Sequence, residues 1–372
     1  MREYVLILLV AAAATFLAAP ACRSLALRAG AVARVRDRDV HARPIPYFGG
    51  LAMLVGVSVA FLLAMNLPFL GRHSPVRSDS IGILLAGATI CVVGMLDDLI
   101  ELSALAKAAG QVLAAGVAVL SGVRMLWIPL PGQIVALDQG TGIAITVFLI
   151  FLCVNAINFV DGLDGLAAGV VAIGALAFFT YSYVLTVEQE LVRATTASLV
   201  TVAIAGVCLG YLPHNFFPAR MFMGDSGAML LGLLLATSTI SLTGQIDPAA
   251  LSDGESALTA YLPVLLPIAI LALPVLDLVL AYVRRTVAGR WWFRPDKQHL
   301  HHRLLQRGHS QPRAVMLMYL WTGLLSFGAI VVGLVPRWWT TSLWVVGVIV
   351  AVVLTVVPGR KVPVEPPALD VS

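Results

Sequence analysis

Apolar residues fall along this chain in long blocks, not in alternation with polar ones. Eleven blocks stand out, at 4–22, 48–70, 81–98, 105–121, 142–158, 164–184, 194–212, 227–243, 258–283, 315–335 and 340–357. They are rich in Leu, Val, Ala and Ile and show no period of two. A hydrocarbon core about 30 Å thick asks for ~20 apolar residues per helix. Inside it each backbone must satisfy its own N–H and C=O groups, so such blocks predict helices and not barrel strands. The pattern therefore predicts an all-α polytopic integral membrane protein with 11 transmembrane helices. Short connections argue for one transmembrane domain over 1–357, with a polar loop at 284–313 and a disordered Pro-rich tail at 358–372.

Composition points the same way. Of 372 residues, 59% are hydrophobic and only 12% charged, against about 25% charged in an ordinary soluble protein. Mean hydropathy is +0.93. These figures exclude a disordered or collagen-like chain and argue against a soluble multidomain enzyme. The first block is long for a signal peptide and leads into arginines, so it reads as a retained helix. Cys22, Cys91, Cys153 and Cys208 lie in or at the ends of blocks with no CxxC pair, and read as small packing residues.

Charge orients the blocks. The connection after the first holds Arg23, Arg28, Arg34, Arg36, Arg38 and Arg43, which by the positive-inside rule places it in the cytoplasm. Alternation then assigns 18 of the 24 basic residues to the cytoplasmic side, eight of them in 284–313. The expected topology has the N-terminus outside and the C-terminus cytoplasmic. A positive inner face suits anionic lipid head groups and phosphorylated soluble substrates.

Ionisable residues near a bilayer are costly and usually functional. Here they gather at block ends on the expected cytoplasmic side. Asp97 and Asp98 end the third block; as adjacent carboxylates at a helix C-terminus they repel each other and the helix dipole, which a nearby cation or Lys107 would offset. Asn155, Asn158, Asp161 and Asp164 recur every three residues, and each Asp is followed by a glycine, Gly162 and Gly165. Four oxygen-bearing side chains so spaced suit a hard cation and a phosphate or sugar, whereas a helix cap would explain a single Asp. Asp225, in Met223-Gly-Asp-Ser-Gly227, could cap the eighth block, or hold Mg²⁺ while exposed amides face a phosphate. Asp277 lies near the cytoplasmic end of the ninth block. His299, His301, His302 and Arg303 follow it, and suggest phosphate contacts and acid–base chemistry. Zinc is disfavoured, since no Cys is nearby.

Together these motifs resemble the polyprenyl-phosphate N-acetylhexosamine-1-phosphate transferase family, whose members include WecA-type, TagO-type and MraY-type enzymes. The resemblance covers nearly the whole chain: Arg43-Pro-Ile-Pro-Tyr-Phe-Gly-Gly50, Asp97-Asp98, Asn155 to Leu166, Met223 to Gly227, Pro274 to Asp277, and His299-Leu-His301-His302. The HxHH form and the span count are similar to the WecA-type undecaprenyl- or decaprenyl-phosphate GlcNAc-1-phosphate transferases. The resemblance implies transfer of GlcNAc-1-phosphate from UDP-GlcNAc to a polyprenyl phosphate, releasing UMP, as the first membrane step of a cell-envelope polysaccharide. It also implies Mg²⁺, with Mn²⁺ as a substitute, a homodimer, no nucleic-acid partner, and a site on the cytoplasmic face of a bacterial plasma membrane.

For individual residues it implies Asp225 as a Mg²⁺ ligand assisted by Asn158, and Asp97 beside Asp98 acting on the lipid phosphate. Asp161 and Asp164 are implied to shape the catalytic pocket. Asn155, Asn158, Asp277, His299, His301, His302 and Arg303 are implied to bind substrate. Two alternatives stay open: the same chemistry with another UDP-sugar, and a secondary transporter. A transporter would place ionisable groups at mid-membrane, not at one face.

Overall fold

The computed structural model describes residues 1–33, 44–72, 74–130, 133–188, 194–245, 286–287, 304, 308–335 and 337–357. The block at 258–283, Arg43, Asp277, His299, His301, His302 and Arg303 lie outside the described residues. Ten described helices follow the other ten blocks: α1 Arg2–Ala29, α2 Gly49–Ala64, α3 Ser74–Ile100, α4 Ala104–Leu120, α5 Gln139–Val160, α6 Leu166–Glu188, α7 Ala194–Asn215, α8 Gly224–Gln245, α9 Gln311–Leu334 and α10 Trp338–Val356. Eight are long and apolar enough to cross a membrane, while α2 and α4 are shorter. This is an all-α, multi-pass membrane architecture; the described residues supply eight such spans where the block pattern predicts 11.

Two local departures have physical causes. The block at 48–70 stops being α-helix at Ala64, because Pro68 has no N–H to donate and obstructs the preceding turn. The chain turns there, and the Glu3 carboxylate at the start of α1 accepts the N–H groups of Phe69 at 2.8 Å and Leu70 at 2.9 Å. Between α4 and α5, Trp127–Leu130 and Gln133–Ala136 pair as an antiparallel hairpin, β1 and β2. The sequence cue was Pro131-Gly132 between two short β-prone stretches, inside a chain otherwise read as wholly helical.

The first eight helices run alternately up and down. Glu3 meets the end of α2, and Ser121 at the end of α4 packs against Gly82 early in α3. On the opposite face, Arg23 Nε donates to Arg220 O, Gly49 N to Phe222 O, and Asp225 N to Asp98. The C-termini of α1, α3, α5 and α7 therefore share one face with the N-termini of α2, α4, α6 and α8. The short α2 and α4 run between the same two faces. Helix α8 lies at the centre, enclosed over its whole apolar length, and packs on α2, α3, α5 and α7. Close backbone approach makes this possible: a Cβ at Gly94 would strike the Ser226 backbone, and one at Gly232 the Val154 backbone. At the rim, α10 leaves most of its Val and Leu side chains exposed, as a lipid-facing helix does.

Candidate active site

Three helix ends meet where α8 begins. The adjacent acids Asp97 and Asp98 at the end of α3 point to different partners. Asp98 Oδ1 accepts the backbone N–H of Asp225 at 2.8 Å, and its Oδ2 accepts the Ser226 hydroxyl at 3.0 Å. It thus caps the N-terminus of α8 from another helix, where the dipole favours an anion. A Cβ at residue 224 would collide with this carboxylate, so glycine is required there. Asp97 accepts the Leu102 N–H at 2.7 Å and pairs with Lys107 at 2.8 Å.

Lys107 also bonds Asp225 Oδ2, so one ammonium bridges α3 and α8 from the first turns of α4. The other Asp225 oxygen accepts from Asn158 Nδ2 at 2.5 Å. Asn158 lies one helical turn from Asn155, but the two amides do different things. Asn155 donates to Gln111 Oε1 and Phe151 O, both at 2.8 Å. Gln111 is buried one turn along from Lys107 and donates on to Met229 Sδ. Asn155 thereby braces α4 against α5 one turn from Lys107.

The turn between α5 and α6 separates its two acids as well. Asp164 is buried and its Oδ2 accepts the Ala219 N–H at 2.9 Å, tying the turn to the segment that leads into α8. Asp161, at the end of α5, is half-buried. Burial pushes its carboxyl up to about 7, and the charges of Asp225, Asp98 and Asp164 push the same way. The structure therefore brings together Asp97, Asp98, Asn158, Asp161 and Asp225. It gives Asn155 and Asp164 bracing bonds beside them.

Among the described residues no three His, Cys, Asp or Glu groups enclose an ion by themselves. Mg²⁺ does not need such a cage, since it takes one or two carboxylates and completes its shell with water and substrate phosphates. The half-exposed Asp225 carboxylate and the Asn158 amide oxygen fit that demand, and among the described residues Asp97 and Asp225 share one ammonium while Asp98 and Asp161 stand beside them. In the sequence Lys107 stands out only as a neighbour of Asp97 and Asp98. The available cue was a lone lysine in the opening turns of an apolar helix, where the dipole disfavours a cation. Gln111, Tyr211, Asn215 and Tyr319 gave no cue of their own.

A family model described as glycosyl transferase family 4 matches residues 80–243, which hold Asp97, Asp98, Asp161, Asp164 and Asp225. The decaprenyl-phosphate N-acetylglucosaminephosphotransferase of Mycolicibacterium smegmatis is 45% identical over 362 residues, covering 96% of this chain and 89% of that protein. The chain belongs to this family. The protein of the same description from Mycobacterium tuberculosis is also 45% identical, over 88% of this chain and 82% of its own length. A probable undecaprenyl-phosphate N-acetylglucosaminyl 1-phosphate transferase of Bacillus subtilis is 32% identical over 89% of this chain and 85% of that protein. Similarity to all three runs well beyond the motifs, through the helices that carry the acid cluster.

Proposed function

We propose that this protein transfers GlcNAc-1-phosphate from UDP-GlcNAc to a polyprenyl phosphate, decaprenyl phosphate in the first instance, and releases UMP. The observation that carries the reading is the gathering of Asp97, Asp98, Asp161 and Asp225 at one face of a membrane bundle, with the Lys107 ammonium bridging Asp97 and Asp225. The 45% identity to relatives described as decaprenyl-phosphate N-acetylglucosaminephosphotransferases supports the choice of sugar and lipid. A charged nucleotide sugar and a membrane-anchored phosphate can meet only at such a depth.

In the proposed reaction an oxygen of the lipid phosphate bonds to the β-phosphorus of UDP-GlcNAc. The bond from that phosphorus to the α–β bridging oxygen breaks, and UMP departs with the electron pair. Two anions must approach, so positioning and charge neutralisation are the main demands. Mg²⁺, held by Asp225 with Asn158, would supply neutralising charge to the pyrophosphate when bound. Lys107 is placed to balance whichever of Asp97 and Asp225 is not engaged. A phosphate monoester has a second pKa of about 6 and is largely dianionic at neutral pH. Asp97 therefore acts by orienting the lipid phosphate and Lys107 more than by removing a proton. Asp98 holds the start of α8, and with it Asp225, in place.

The site belongs on the cytoplasmic face of a bacterial plasma membrane in this reading, because the basic residues accumulate on the side where the acids gather. Eleven spans, an external N-terminus, a cytoplasmic C-terminus and a homodimer complete the proposal. Asp277, His299, His301, His302 and Arg303 are proposed as contacts of the nucleotide sugar. The deciding experiment supplies purified protein with Mg²⁺, decaprenyl phosphate and a panel of UDP-sugars and measures UMP. Release with UDP-GlcNAc is expected; none with it, or release only with another UDP-sugar, overturns the assignment.

A further inference from the structure

Gly165 closes the acid-bearing turn with φ at 75°, in the left-handed region. Both of its backbone groups are held by side chains from distant helices. Asn215 Oδ1, at the end of α7, accepts its N–H at 3.0 Å, and the Tyr319 hydroxyl on α9 donates to its C=O at 2.5 Å. Asn215 is buried, and its other arm donates from Nδ2 to Met221 O at 3.0 Å, where the Tyr211 hydroxyl also donates at 2.9 Å. The same amide thus grips the turn that carries Asp161 and the strand of chain that delivers Asp225. One turn into α6, Gly169 makes room for the phenol, since a Cβ there would overlap the Tyr319 ring.

A helix start is commonly capped by a side chain of its own segment. Here the local acid, Asp164, also reaches across to Ala219. Distant partners hold the turn on both sides, so its position depends on tertiary contacts.

We propose that Tyr319 and Asn215 are positioning residues: opposed jaws on Gly165 that set where the Asp161 carboxylate stands relative to Asp98 and Asp225. Neither bonds to the acid cluster directly. Because α9 follows the 284–313 segment, Tyr319 also ties the helix leaving that segment to the acid-bearing turn. The kinetic part of this inference rests on the proposed transfer reaction; the structural part does not.

The test uses the full-length protein in lipid nanodiscs and begins with Tyr319→Phe, which removes one oxygen and keeps the ring. Hydrogen–deuterium exchange over residues 161–166 is expected to speed up, with the thermal midpoint within about 2 °C of wild type. UMP release from UDP-GlcNAc should fall ~10-fold in kcat/KM, since small misplacements of a catalytic group are expensive. In an Asp161→Asn background the same Tyr319→Phe change should have little further effect on the residual rate, because it acts through Asp161. Asn215→Ala should accelerate exchange of the Gly165 amide itself. Wild-type exchange in Tyr319→Phe would overturn the proposal. So would equal, additive losses with and without Asp161, the signature of a merely structural contact. If wild-type protein releases no UMP from UDP-GlcNAc, the functional reading has failed, and the exchange data alone decide whether the jaws hold the turn.

Discussion

Asp98 accepts the backbone N–H of Asp225 at 2.8 Å, so the end of α3 caps the beginning of α8. This relationship resolves the apparent conflict of two adjacent carboxylates at a helix C-terminus. Asp98 is satisfied by the amides and hydroxyl of another helix, and Asp97 by Lys107. Neither acid has to be balanced within its own helix.

Asp98→Ala removes the acceptor of three α8 groups and should cost about 1–2 kcal/mol of stability, as N-cap losses do. Asp98→Asn keeps an acceptor and should recover most of the stability. Thermal unfolding in nanodiscs measures both. An Asp98→Ala protein as stable as wild type would remove the capping role.

Lys107→Met should leave Asp97 and Asp225 facing each other without their shared counter-ion. Turnover is expected to fall by ~100-fold or more, in line with removal of a single electrostatic contributor at a phosphoryl-transfer site. Lys107→Arg keeps the charge but changes its shape, and should restore only part of the rate. UMP release is the readout, and near-wild-type turnover in Lys107→Met would contradict the bridging role.

Asp161 supplies a pH prediction. Its carboxyl titrates near 7 in the folded protein, above the ordinary 3.8. The folded state therefore binds this proton more tightly than the unfolded chain. The stabilisation is full below about pH 4 and is lost as pH rises through 7. Activity that needs the carboxylate runs the other way, rising with pH to an inflection near 7. Added Mg²⁺ should move that inflection to lower pH by favouring the anion. Asp161→Asn should abolish the rising limb; a limb that survives it belongs to another group.

Removing the proposed metal ligand should be more drastic. Asp225→Ala is expected to lose Mg²⁺-stimulated UMP release altogether, while Asn158→Ala should mainly raise the Mg²⁺ concentration needed for half-maximal rate. Isothermal titration with Mg²⁺ alone gives a second measure. Wild-type Mg²⁺ response in Asp225→Ala would refute the assignment.

Packing supplies the last prediction. Gly94→Ala places a methyl group against the Ser226 backbone, which cannot move without dragging Asp225. Overpacking of this kind typically costs about 1–3 kcal/mol. Both thermal stability and UMP release should drop, whereas Gly116→Ala, which meets nothing within 4 Å, should leave both unchanged.

Much of this was legible in the chain because a bilayer imposes strong rules. A helix that crosses it must be long and apolar, and a charge near it must have a reason to be there. That is why ten blocks coincide with helices, and why Asp97, Asp98, Asn158, Asp161 and Asp225 could be picked out one by one. The short reach of α2 and the hairpin at Trp127–Ala136 were not legible. Each depends on a proline or turn residue whose effect is confined to a few positions, while the block pattern averages over ~20.

The sequence by itself determined the class of molecule and placed at helix ends the acids that the structure brings together. These follow from composition and spacing, which tertiary contacts do not alter. Only the tertiary structure decided how that set divides. It gave Asp98 to the start of α8 and Asp97 to Lys107, and it gave Asn158 to Asp225 and Asn155 to Gln111. It left Asp161 half-buried among the acids while Asp164 reached for Ala219. Residues three apart share a helical face, but what each one meets is set by helices that lie as much as 128 positions away in the chain, and no local pattern encodes that.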